Sequence, residues 1–117
     1  MAFESAVQRA LTARYDDIYL LAGARTPFAD YTSVLRDVNP IDLGIYAARA
    51  LFARSGVPAA DVGAVIAGNV AQSGFDAYYV PRHIGLYAGV SADVPALLVN
   101  RICGTGFESI LQAADAI

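Results

Sequence analysis

The run Val99-Asn100-Arg101-Ile102-Cys103-Gly104-Thr105-Gly106-Phe107-Glu108-Ser109 carries the only cysteine of the chain, and the hydrophobic periodicity changes across it. On its N-terminal side, Val94 to Ile102 is a short apolar segment of the kind a buried strand shows. Beyond it, Phe107, Ile110, Leu111 and Ala114 recur at helical spacing. Cys103 is therefore expected at a strand-to-helix turn. Gly104 and Gly106 are poor helix formers, but they let backbone pass close to a ligand. A helix starting here directs unpaired N–H groups and the positive end of its dipole toward the sulfur, which favours the nucleophilic thiolate. The competing reading takes Cys103 as a buried free thiol acting as a small apolar residue, the commoner fate of lone cysteines.

Working outward, the same alternation of elements recurs upstream. Ile18-Tyr19-Leu20-Leu21-Ala22-Gly23-Ala24 is compact, apolar and stopped by Arg25-Thr26-Pro27, and it reads as a first buried strand. After a polar loop from Phe28 to Asn39, Pro40 suits a first helical turn with Asn39 as its cap. Ile41, Leu43, Ala47, Ala48, Leu51 and Phe52 then continue an apolar face until Ser55-Gly56 ends it. Val62 to Val70 offers a second strand. Tyr79 to Tyr87 offers a second helix, with Pro81 in its first turn and Gly89 closing it. Pro95 opens the third strand, and the helix after Cys103 is expected to run to the end. The order β-α-β-α-β-α with near-continuous apolar strands predicts an α/β fold, a mostly parallel sheet with helices on its faces. Crossovers should be right-handed.

Residues 1–17 form an N-terminal extension in which Phe3, Val7 and Leu11 fall at four-residue intervals, the spacing of a short amphipathic helix. Glu4, Asp16 and Asp17 argue against an acid-poor organelle presequence. The 117 residues are 56% hydrophobic, which predicts one globular unit and excludes intrinsic disorder. The net charge is −3, and all eight basic residues are arginines scattered along the chain, so no nucleic-acid partner is expected. No apolar run approaches the roughly 20 residues that cross a bilayer, so no membrane partner is expected and the chain should be soluble. A single cysteine makes no internal disulfide, and without a secretory signal pattern a reducing, cytoplasmic compartment is expected.

Several blocks, taken together, resemble the thiolases, acyl-CoA acyltransferases that make or break a carbon–carbon bond beside a thioester. Ala24-Arg25-Thr26-Pro27-Phe28 follows the first strand as in that family, Gly68-Asn69-Val70 closes the second, and Pro81-Arg82 opens the next helix. Val99 to Gly106 looks like the family's nucleophile segment. The resemblance covers residues 18–117, as a partial thiolase N-terminal domain. Two departures stand out: Ala29-Asp30 lies where many members have glycine, and His83 where glutamine is common. The resemblance implies a mixed sheet in which the three strands here run in the order 3-2-1. It also implies that Cys103 is the catalytic nucleophile, accepting an acyl group as a thioester in Claisen condensation or in thiolytic cleavage of a 3-ketoacyl-CoA.

The same kinship implies acyl-CoA and CoA as substrates, no separate cofactor, and a homo-oligomer, dimer or tetramer, when the protein is complete. The acid/base pair of such an enzyme, a histidine and a second cysteine, comes from a later half of the family's chain. His83 is the only histidine here and reads as a satisfied or partly exposed helix residue rather than a partner of Cys103. One cysteine and one histidine do not supply the three or four ligands of a zinc site. Arg25 and Arg82 suit loop-holding better than phosphate binding, and Asn69 suits local backbone contacts. Two rivals remain at this level: a ketoacyl-synthase-like enzyme of the same superfamily, and a truncated, non-catalytic interaction or partner subunit.

Overall fold

The computed structural model describes residues 13–117. The expected amphipathic helix around Phe3, Val7 and Leu11 lies outside the described residues. In chain order the elements are α1 (Pro40–Ser55), β1 (Val65–Gly68), α2 (Val80–Ala88), β2 (Ala96–Val99) and α3 (Thr105–Asp115), with short 3-10 turns at Ala59–Asp61, Ala77–Tyr79 and Ile102–Gly104.

Helix α1 starts where its capping chemistry says it should. The Asn39 side chain accepts a hydrogen bond from the Ile41 N–H at 2.9 Å, and Pro40 fills the first position, where no N–H is needed. Gly56, at φ 73°, closes the helix by donating its N–H to the Phe52 carbonyl. Helix α2 packs along α1 at close range: a Cβ added at Gly44 would sit 2.7 Å from Ile84 Cγ1. Arg49 adds a 2.8 Å hydrogen bond from its Nε to the Tyr87 carbonyl, tying the end of α2 back to α1.

β1 and β2 pair in parallel, in the register Val65 to Ala96 through Gly68 to Val99, with α2 as the crossover. Val65 faces Gly85 of α2, while Gly68 faces Thr105 of α3. Three positions apart on a strand means opposite faces, so the two helices cover the two sides of the sheet. The second and third expected strands are thus neighbours, parallel and sandwiched, and the α/β class holds.

The first expected strand is a correction. Ile18–Ala24 joins no ladder, and Tyr19, Leu20 and Leu21 are 73%, 84% and 80% exposed. An apolar run becomes a buried strand only when a neighbour takes its backbone hydrogen bonds and both its faces are covered. Among the described residues neither condition is met, so the order 3-2-1 reduces to the β1–β2 pair. The helix after Cys103 also stops at Asp115, short of Ile117. The buried apolar side chains among the described residues are Ile45 on α1, Val80 and Pro81 at the start of α2, and Ala77 and Val90 flanking it. The outer side of α3 leaves Phe107, Ile110 and Leu111 exposed.

One contact fastens the segment before α1 to the far end of α3. The Tyr15 hydroxyl donates to Asp115 Oδ1 at 2.7 Å. That hydrogen bond, with slight desolvation and the nearby carboxylates of Asp115 and Glu108, raises the pKa of the exposed Tyr15 above the ordinary 10.0. Because the folded chain holds this proton more tightly than the unfolded one, the contact contributes below pH 10 and is lost as pH climbs through the raised value. A tyrosinate absorbance titration should therefore show one of the seven tyrosines ionising later than an ordinary phenol, and Tyr15→Phe should remove that late step. A late step that persists in Tyr15→Phe would belong to another tyrosine.

Candidate active site

Cys103 lies in the 3-10 turn Ile102–Gly104 between β2 and α3, with its thiol free and exposed. The strand-to-helix placement is as the sequence indicated, whereas the buried-thiol reading does not fit an exposed side chain. Gly104 occupies the N-cap position of α3, and no side chain caps that terminus. The first N–H groups of the helix thus have no side-chain acceptor, and the positive end of the helix dipole lies on the C-terminal side of the sulfur.

The turn is held by its neighbours. Thr105, only 6% exposed, accepts a hydrogen bond from the Arg101 N–H at 2.8 Å and donates its hydroxyl to the Ile102 carbonyl at 2.7 Å. The Gly104 N–H donates to the Arg101 carbonyl at 2.9 Å. Asn100 closes the other side: its Oδ1 accepts from the Ile102 N–H at 3.0 Å, and its Nδ2 donates to the Val70 carbonyl at 3.1 Å. Arg101 and Glu108 form an exposed ion pair at 3.2 Å, which at a surface contributes at most about 1 kcal/mol. Ile102, in the middle of this frame, has φ 49°.

The other residues singled out in the sequence do not converge on the thiol. His83 Nε2 is 2.6 Å from Asp76 Oδ2, and its ring stacks on Tyr87 with centroids 6.2 Å apart, so it is a satisfied, half-buried helix residue. Arg82 donates to the Ala92 and Val94 carbonyls at 3.1 and 2.8 Å and thereby holds the loop entering β2. Arg25 donates to the Thr26 carbonyl at 3.0 Å and lies over the Phe28 ring at 4.4 Å. Asn69 serves its own loop, accepting from the Gln72 N–H at 3.2 Å. The cross-connection to the cysteine turn comes instead from Asn100, which sequence reasoning passed over. The only available signal was its type: a short amide two residues before a turn is a frequent local hydrogen-bonder. No group of three or more His, Cys, Asp or Glu side chains among the described residues is placed to hold a metal ion.

With this geometry in place, the comparisons with known proteins fall on the same segment. The family model for the thiolase N-terminal domain matches residues 18–117. The chain belongs to the thiolase family. The mitochondrial 3-ketoacyl-CoA thiolases of Bos taurus and Homo sapiens are 41% and 42% identical to it, each over 86% of this chain and 25% of their own length. The crystal structure of the human enzyme in complex with CoA superposes with a TM-score of 0.78 at 43% identity, covering 81% of this chain and 24% of that one. An Ascaris suum thiolase, also solved with coenzyme A, gives a TM-score of 0.80 at 28% identity over 86% of this chain. The chain spans about a quarter of the length of the curated relatives it matches.

These relatives correct one expectation. A cytoplasmic location was read from a lone cysteine and the lack of a secretory pattern, yet the bovine, mouse, rat and human relatives are named as mitochondrial. Cysteine usage separates oxidising from reducing compartments; it does not distinguish one reducing compartment from another.

Proposed function

We propose that this chain is the nucleophile-bearing part of an acyl-CoA acyltransferase, with Cys103 as the acyl acceptor. Residues 18–117 would be a partial thiolase N-terminal domain and residues 1–17 an extension before it. The observation that carries the reading is an exposed thiol on a braced strand-to-helix turn, within a segment that matches thiolases. The Cys103 thiolate attacks the carbonyl carbon of an acyl-CoA, the carbon–sulfur bond to CoA breaks, and CoA leaves as a thiolate that takes up a proton. In condensation, the α-carbanion of a second acyl-CoA attacks the acyl-cysteine, forming the carbon–carbon bond and releasing the Cys103 thiolate. In thiolysis, Cys103 attacks the 3-keto carbon, the bond to the α-carbon breaks, that carbon is protonated, and CoA then removes the acyl group.

Both directions need a base for the thiol and an acid/base at the α-carbon, because a thiol near neutral pH is only a few per cent ionised. Among the described residues His83 is hydrogen-bonded to Asp76 and not to Cys103, and both roles are assigned to the histidine and second cysteine that the thiolase resemblance implies. Acyl-CoA and CoA are the substrates, consistent with relatives solved with CoA, and no further cofactor enters the scheme. The complete protein would assemble as a homo-oligomer. A second reading, a non-catalytic partner subunit, draws on the engagement of the one histidine with Asp76 rather than with Cys103. One experiment separates the two: incubate the protein, expressed with its full reading frame, with acetyl-CoA, quench in acid and map the digest by mass spectrometry. One acetyl group on the Cys103 peptide is expected; an unmodified Cys103 overturns the enzyme reading.

A further inference from the structure

We propose that Asn100 is a positioning residue that holds Ile102 in a left-handed backbone conformation and so fixes the direction in which Cys103 leaves the turn. The proposal rests on Cys103 being the acyl acceptor. Ile102 has φ 49°, a conformation that a β-branched residue adopts only when its surroundings impose it, because the branched Cβ crowds its own backbone. The surroundings here offer no packing reason, since Ile102 is 65% exposed. What imposes it is polar. The Ile102 N–H is taken by Asn100 Oδ1 at 3.0 Å, and its carbonyl by the Thr105 hydroxyl at 2.7 Å. Asn100 is in turn anchored outside the turn, through Nδ2 to the Val70 carbonyl at 3.1 Å beyond the end of β1. One side chain therefore connects the strained residue immediately before the cysteine to the neighbouring strand's exit loop. Without that acceptor, Ile102 relaxes to negative φ and the following residue swings with it. A displacement of about 1 Å of a nucleophile can cost about a hundredfold in rate.

Glycine adopts positive φ without strain, which makes the test specific. Asn100→Ala and the double variant Asn100→Ala/Ile102→Gly are compared with the parent protein, expressed with its full reading frame. Three quantities are read: the single-turnover rate of acetyl transfer from acetyl-CoA, the rate of iodoacetamide alkylation of Cys103 across pH, and the circular dichroism melt. Asn100→Ala is expected to acylate about 100-fold more slowly with KM within about threefold of the parent, as lost orientation rather than lost binding demands. The double variant is expected to recover at least about tenfold of that loss. A merely structural asparagine would be rescued by no glycine at a neighbouring position. Acylation by Asn100→Ala at the parent rate, a double variant no faster than the single, or loss of the folded melt in both variants would each overturn the proposal. If the parent itself takes no acetyl group, the acyl-acceptor reading fails. The alkylation rates then decide the positioning role alone, with the same order of parent, double and single expected.

Discussion

Cys103→Ala, in the protein expressed with its full reading frame, is expected to lower acyl transfer by on the order of 10⁴-fold or more while leaving the melting temperature unchanged. The size follows from what the residue does. Removing the nucleophile from a covalent mechanism removes the step itself, and among the described residues the hydroxyl beside the turn, Thr105, is buried and committed to the Ile102 carbonyl. The lack of a stability effect follows from exposure. A side chain on the surface leaves no cavity when truncated, and substitutions there usually change stability by less than about 0.5 kcal/mol. Kinetics and melting are thus expected to separate cleanly. Cys103→Ala retaining turnover within tenfold of the parent would remove Cys103 from the mechanism, and a large fall in melting temperature would mean that the thiol is packed in the complete protein.

The parts of this fold that were legible in the sequence are those whose causes are local. Asn39-Pro40 announces α1 because a cap and a proline act within one turn, and Gly56 and Gly89 end α1 and α2 for the same reason. The strand-turn-helix around Cys103 was legible because a continuous apolar run, Ala96 to Val99, gives way to helical spacing from Phe107 onward. Ile18–Ala24 has an equally clear apolar pattern and forms no strand, because a strand depends on partners that no local pattern contains. The frame of the cysteine turn was hidden for a related reason. Asn100 reaches back thirty residues to Val70, and the left-handed Ile102 runs against its own residue preference. Such conflicts between local preference and observed conformation gather at functional sites, and no reading of preferences could have supplied this one.

Gly68→Ala should destabilise the protein by about 1–3 kcal/mol, and the sign is the informative part. An alanine in place of glycine within a strand ordinarily stabilises by roughly 0.4–1 kcal/mol, since it restricts the unfolded chain. Here the added methyl would overlap Thr105 Cγ2 and lie 3.2 Å from Ser109 Oγ. Thr105 cannot turn away cheaply. Its hydroxyl bridges the Arg101 N–H and the Ile102 carbonyl, so rotating the side chain would break the frame that presents Cys103. Thr105→Ser isolates the cause, because serine keeps that hydroxyl and deletes the methyl that the new Cβ would strike. In a cycle of Gly68→Ala, Thr105→Ser and the double variant, chemical denaturation is expected to give a favourable coupling of about 0.5–3 kcal/mol. Alkylation of Cys103 should be perturbed by Gly68→Ala and restored in the double variant. Additive effects, or an alanine that stabilises, would show that β1 and α3 are not in contact at Gly68. If the coupling appears in both readouts, the close approach of strand to helix and the geometry of the thiol are one constraint, and Gly68 is glycine because Cys103 sits where it does.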